Sequence, residues 1–215
     1  MPQNRFNNPF LTPPRAPSPA EMNYLNPLLG GGLLGSRASF PTVQQLDADP
    51  GIYLNRGLDT NPQYVAGEYD DWNKALWYSK GMRDRETGSF GHEFAHHLQN
   101  EFGIPAGGGE EDNKYAIRPE KPFRETDRES QASLIGEYLQ YAADAKKLRE
   151  KGATAETDDN LRQYEERLAV LGPAVQRMKD YIVRKQVLDD YKKQGLWERA
   201  RGSLLGGRFL RTGEF

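Results

Sequence analysis

Residues 89–103 read SFGHEFAHHLQNEFG, and all three histidines of the 215-residue chain, His92, His96 and His97, lie inside this stretch. Phe90, Phe94 and Leu98 recur every four residues, the period of a helix with one apolar strip. Gly103 and Pro105 follow in the order that usually ends a helix. HEFAH then places His92 and His96 one above the other on a single face. Two imidazole nitrogens so arranged can each reach one ion at about 2 Å. Glu93 stands beside that position, where a base must sit to take a proton from metal-activated water. The alternative is an amphipathic helix that merely contains histidine. His97 differs in direction from the pair and is expected to be exposed or to support the ligands.

A catalytic zinc needs a third protein ligand and one open position. The chain has no further histidine and no cysteine, so that ligand must be a carboxylate. Glu110, Glu111, Asp112, Glu120, Glu125, Asp127, Glu129 and Glu137 are the candidates. Glu129 stands out because Ala132, Ser133 and Gly136 share its helical face, and small residues allow the histidine helix to approach closely. A second reading competes with it: Thr126-Asp127-Arg128-Glu129 fits a capping box, in which Glu129 only bonds back to the helix start.

Composition narrows the setting. Apolar residues make up 36% of the chain and mean hydropathy is -0.85, polar enough to suggest extended arms or exposed helix beside the core. The net charge of -2 offers no electrostatic case for nucleic acid or an anionic membrane as partner. No apolar run is long enough to span a bilayer, and the N-terminus lacks a signal-peptide layout. The expected location is the cytoplasm, or a particle assembled there such as a virion.

The expected fold class is α+β, mostly helical, in three segments. Residues 1–37 are rich in Pro, Asn and Gly and should not form regular structure alone. They read either as a disordered tail or as an arm that docks on a protein partner through Phe6, Phe10, Leu11, Tyr24 and the leucines of LLGGGLLG. Residues 38–150 form the domain proper. There Gly51 to Asn55 is a strand candidate, and Asp70 caps a short helix through Trp72, Ala75 and Leu76. A long loop follows the histidine helix, and a second helix runs from about Thr126 towards Lys151 with Ala132, Ile135, Leu139 and Ala142 on one stripe. Residues 151–215 hold a helical hairpin and a C-terminal tail. One helix carries Leu161, Tyr164, Leu168 and Leu171 and stops at Gly172-Pro173. The next, from Ala174 to about Lys193, turns Val175, Met178, Ile182 and Leu188 inward.

HEFAHHLQNEFG together with ESQAS (Glu129 to Ser133) resembles the paired motifs of the neutral zinc metallopeptidase family of bacteria, HExGHHxQ followed by ExQAD. PGIYLN (Pro50 to Asn55) is similar to the strand that precedes the zinc helix in that family, and the likeness runs from about Pro50 to Tyr138. It implies a zincin-like domain holding Zn2+ on His92, His96 and Glu129, with Glu93 as catalytic base. The chain departs from the pattern at Ala95, where the family has Gly, and at Ser133, where it has an Asp that orients a ligand histidine. Asp127 and Asp144 are candidates to replace that Asp.

The expected activity is hydrolysis of peptide bonds in a peptide or protein substrate. Tyr115, Tyr138 and His97 are unranked candidates for the donor to the oxyanion. The strand at Ile52 to Leu54 is expected to pair with an extended substrate. Two other readings stand beside it. One is a structural or assembly protein built on a peptidase-like domain, meeting its partner through residues 1–37 and the C-terminal tail. The other is a zinc protein whose ion is purely structural.

Overall fold

The computed structural model describes residues 11–30, 39–46, 67–79, 86–107 and 117–193. In chain order the elements are α1 (Pro19–Leu29), β1 (Thr42–Leu46), β2 (Gly67–Asp70), β3 (Ala75–Ser79), α2 (Glu86–Phe102), α3 (Arg128–Glu150) and α4 (Asp159–Lys193). The chain is α+β and mostly helical, as the sequence leads one to expect, and the described residues hold one small mixed sheet ordered β1-β3-β2. β1 runs parallel to β3 and β2 antiparallel to it. No helix among the described residues is long and apolar enough to cross a membrane.

A turn and a strand lie where a short helix was expected. Asp70 does cap backbone donors, accepting from the N–H groups of Trp72 at 2.9 Å and Asn73 at 3.3 Å, and from Asn73 Nδ2 at 2.7 Å. What it caps is a turn. Lys74 enters the left-handed region at φ 47° and folds the chain back, so that Asp70 pairs with Ala75. Ala75, Leu76, Trp77 and Tyr78 are all buried. A short continuous apolar run of this kind suits the central strand of a sheet covered on both faces. The strand expected at Gly51 to Asn55 lies outside the described residues.

Residues 11–30 of the N-terminal segment form more regular structure than their proline content suggests. Ser18 caps α1 in a reciprocal capping box with Glu21, and Pro19 occupies the first turn, where its missing N–H costs nothing. The segment docks on its own domain. Arg15 bridges antiparallel to Val43, and Thr12 donates to the Gln45 carbonyl at 2.9 Å, covering the β1 edge of the sheet. Tyr24, Leu25, Leu28 and Leu29 enter the core, the two middle leucines with no exposure. Each fully buried leucine contributes about 1.5–3 kcal/mol, so α1 is a part of the core.

A buried ionic group fixes this docking. Glu21 accepts from Arg15 at 2.7 and 2.9 Å and from the Tyr78 hydroxyl at 2.7 Å. Burial alone would raise its carboxyl, but Arg15, the Ser18 N–H and Tyr78 outweigh it and hold the pKa at about 2, against an ordinary 4.5. A depressed folded pKa gives stability that is present above the ordinary value and lost as pH falls towards the folded one. The melting temperature of the wild type should therefore fall more steeply between pH 5 and pH 2.5 than that of Glu21→Gln, which has no carboxyl to protonate. Parallel slopes in a thermal melt series would rule the group out as an acid-labile latch.

The helical hairpin is formed by α3 and α4, not within residues 159–193. Its turn follows Glu150, with Gly152 at φ +85°, and Glu137–Arg167 and Arg149–Glu165 ion pairs cross between the helices. α4 runs unbroken through Gly172-Pro173, where a stop was expected. Proline inside a helix costs about 3 kcal/mol. Here Leu171, Ala174, Val175, Met178 and Ile182 are buried on one stripe on both sides of it, and their burial exceeds that cost. A Cβ on Gly172 would meet nothing within 4 Å. Gly172→Ala should therefore stabilise the chain by about 0.5–1 kcal/mol, which urea denaturation would detect as a higher midpoint. One core cluster draws on residues from all three sequence segments, from Tyr24 through Phe94 to Ile182.

Candidate metal centre

α2 and α3 cross at close range because small residues face each other at the crossing. A Cβ added to Gly91 would stand 3.2 Å from the Gly136 Cα, 3.1 Å from Leu139 Cδ1 and 3.2 Å from the Tyr24 hydroxyl. The approach of the two backbones, anticipated from Ala132, Ser133 and Gly136, carries Glu129 to the histidine pair. Phe90, Phe94 and Leu98 turn into the core and set the rotation of α2, which leaves His92 and His96 facing α3.

His92 Nε2 lies 3.0 Å from Glu129 Oε2, His96 Nε2 lies 3.4 Å from the same oxygen, and the two nitrogens are 3.1 Å apart. Donors each about 2.05 Å from a tetrahedral ion stand about 3.3 Å apart. The observed triangle therefore has nearly the edges of one face of that tetrahedron. Its two imidazoles and one carboxylate are suitable ligands for a divalent transition metal. Among the described residues this is the one cluster of histidine and acidic side chains that can hold a metal ion.

The capping alternative for Glu129 fails by one position. Asp127, not Thr126, is the N-cap of α3, accepting from the Ser130 N–H at 2.8 Å and the Ser130 hydroxyl at 2.6 Å. Glu129 is left to turn towards the histidines. Hydrogen bonds from His92 and His96 hold its carboxyl far below the usual range despite burial. Burial alone would lower His96, but the Glu129 hydrogen bond and the charges of Glu93 and Glu129 raise it. The other candidates are engaged elsewhere or lie apart. Asp127 is the cap, Glu137 pairs with Arg167, Glu125 approaches Arg124, and Glu120 is not in the cluster. Glu110, Glu111 and Asp112 fall outside the described residues.

Glu93 is 7% exposed. It packs against the start of β2, where a Cβ on Gly67 would come within 2.7 Å of its Cγ and 2.9 Å of the Trp77 carbonyl oxygen. Burial pushes its carboxyl up to about 8; nearby His96 opposes that rise, and Glu129 and Glu68 add to it. The Tyr69 backbone N–H is hydrogen-bonded to it.

His97 is fully buried, against the expectation of an exposed or ligand-supporting residue. Its Nε2 donates to the Ser39 carbonyl at 2.7 Å, and its Nδ1 then accepts from the Tyr69 hydroxyl at 3.0 Å. Burial lowers its pKa. With both nitrogens taken, it ties α2 to the sheet and cannot serve an oxyanion. Tyr138 cannot either. It follows Glu129 by nine residues, about half a turn away around the helix, and packs against the core. Tyr115 lies outside the described residues.

The candidate ligands are themselves supported. Ser133 Oγ is 3.4 Å from His92 Nδ1, so serine itself occupies the place beside this imidazole where the resembled family has Asp. Asp144 is bonded by Gln140 and Lys147 and takes no part. Gln99 Oε1 lies 2.8 Å from His96 Nδ1. Gln99, and Gln131 behind it, were given no role from sequence. Gln99 was detectable there, since it follows His96 by three residues and so shares its face. Comparison with protein-family models, curated proteins and solved structures finds no match to any of them.

Proposed function

We propose that the chain is a zinc-dependent peptidase of the kind its paired motifs resemble. One observation carries the reading: three ligating atoms converge at tetrahedral spacing with the buried Glu93 carboxyl next to them in sequence and close enough to interact with His96 and Glu129. A zinc ion held by His92, His96 and Glu129 would supply Lewis acidity to a peptide carbonyl and lower the pKa of water in its shell towards about 7. Glu93 would take one proton from the attacking water as the water oxygen bonds to the carbonyl carbon. It would return the proton to the departing nitrogen as the C–N bond breaks.

Gly67 and Tyr69 hold Glu93 for this transfer by packing and by the Tyr69 N–H. Packing also keeps bulk water from most of its surface. β2, at the edge of the sheet beside Glu93, is the described strand best placed to pair with an extended substrate backbone. That role was expected of residues 52–54, outside the described region. The test is Glu93→Gln, with metal content and peptide hydrolysis measured together. Retained metal with lost hydrolysis supports the reading; unchanged hydrolysis contradicts it.

The assembly reading has less to draw on. Residues 11–30 pack against their own domain, so an arm that meets a partner must use residues 1–10, residues 31–37 or the C-terminal tail, all outside the described regions.

A further inference from the structure

The two glutamines of the paired motifs form a buried chain from one ligand to the backbone. Gln131, 2% exposed, points its Nε2 at the carbonyls of Phe123 at 2.7 Å, Pro105 at 3.0 Å and Thr126 at 3.2 Å. Three acceptors around one atom require a donor there, so Oε1 lies at the other end of that amide. That oxygen accepts from Gln99 Nε2 at 2.9 Å, and the same nitrogen donates to the Arg128 carbonyl at 3.0 Å. Gln99, 5% exposed, therefore presents Oε1 to His96 Nδ1 at 2.8 Å. Arg128 Nε, which can only donate, approaches the same oxygen at 3.4 Å. An amide oxygen only accepts. His96 must then carry a proton on Nδ1, so Nε2, the atom in the ligand triangle, is the nitrogen whose lone pair becomes available when the neutral imidazole takes up an ion.

We propose that Gln99, held by Gln131, is a positioning residue for the metal site: it fixes His96 in the tautomer and rotation that present Nε2 to the ion. This rests on the metal-site reading above. Backbone carbonyls of the connection between α2 and α3 thus set the orientation of a ligand on α2 through two side-chain amides. Outer partners of this kind typically change metal affinity by about 10–100-fold. The pairing also explains why glutamine suits both positions. Each side chain must accept at one atom and donate at the other, which a carboxylate or an aliphatic residue cannot do.

The test is zinc affinity of the full chain, by competition with a chromophoric chelator, for wild type, Gln99→Leu and Gln99→Glu. Gln99→Leu should bind zinc about 10–100-fold more weakly. Gln99→Glu, whose carboxylate still accepts from Nδ1–H but meets the Arg128 carbonyl and Gln131 Oε1 with no donor, should regain part of that loss, a rescue that a merely space-filling role would not produce. Nitrogen-15 NMR of histidine-labelled, zinc-loaded wild type gives a readout independent of any variant's folding. His96 should show a protonated Nδ1 and a metal-bound Nε2. Zinc bound through Nδ1, or equal affinity in wild type and Gln99→Leu, would overturn the role of Gln99 alone. A wild type that takes up no zinc would overturn the metal site and the role with it.

Discussion

Glu93→Gln is expected to bind as much zinc as wild type and to hydrolyse a fluorogenic peptide about 10²–10⁴-fold more slowly, the usual contribution of a positioned acid–base group. The amide has the shape of the carboxyl, so contacts with the Gly67 backbone survive. Its oxygen can still accept from the Tyr69 N–H. It cannot take up and return a proton. The substitution should not unfold the chain, because a neutral amide avoids the cost of a charge in a side chain that is 7% exposed. A melting temperature at or above the wild-type value, with turnover lost, would separate chemistry from stability. A variant that turns over as fast as wild type would remove Glu93 from the mechanism.

Glu129→Ala should have the largest effect on the metal. Glu129 is the carboxylate corner of the ligand triangle, and two imidazoles alone leave an ion with half the donors of a tetrahedral site. Zinc affinity should fall by more than the roughly 10–100-fold that follows loss of an outer partner. The helix itself should persist. Asp127 still caps it through Ser130, and removing one acid from the first turn costs only about 0.3–1 kcal/mol. Circular dichroism should therefore be unchanged while metal is lost. Zinc retained at wild-type affinity would move the third ligand to another carboxylate.

The histidine helix was legible because its signals agree. The four-residue apolar spacing, the histidine pair and the glycine stop all describe one helix, and Ile104 N–H bonding to the Gln99 carbonyl past a left-handed Gly103 completes that stop. Glu129 was legible through its small neighbours. The cap was misplaced by one residue because Thr126 and Asp127 are both good caps, and only the backbone path decides between them.

The sheet was harder to read. TVQQL (Thr42 to Leu46) has little alternation, and Asp70 offers the same carboxylate cap to a turn as to a helix. Pro19 and Pro173 misled in opposite directions to their local context. Pro19 belongs to a capping box that Ser18 and Glu21 spell out, yet the proline-rich surroundings hid it. Pro173 should stop a helix, but the buried stripe from Leu171 to Ile182 carries α4 past it. Tertiary packing outweighs local propensity there. The burial of His97 could not be read from its neighbours, since its partners Tyr69 and Ser39 are far away in sequence.

The proposed activity requires that the folded chain bind one ion. The direct measurement is metal content by mass spectrometry of purified wild-type protein, after dialysis against metal-free buffer and again after zinc is added back. The cluster of His92, His96 and Glu129 predicts one zinc ion per chain, retained through dialysis or regained on addition. A folded protein that holds no zinc under either condition would contradict it, and would leave HEFAH as a core helix that happens to carry histidine.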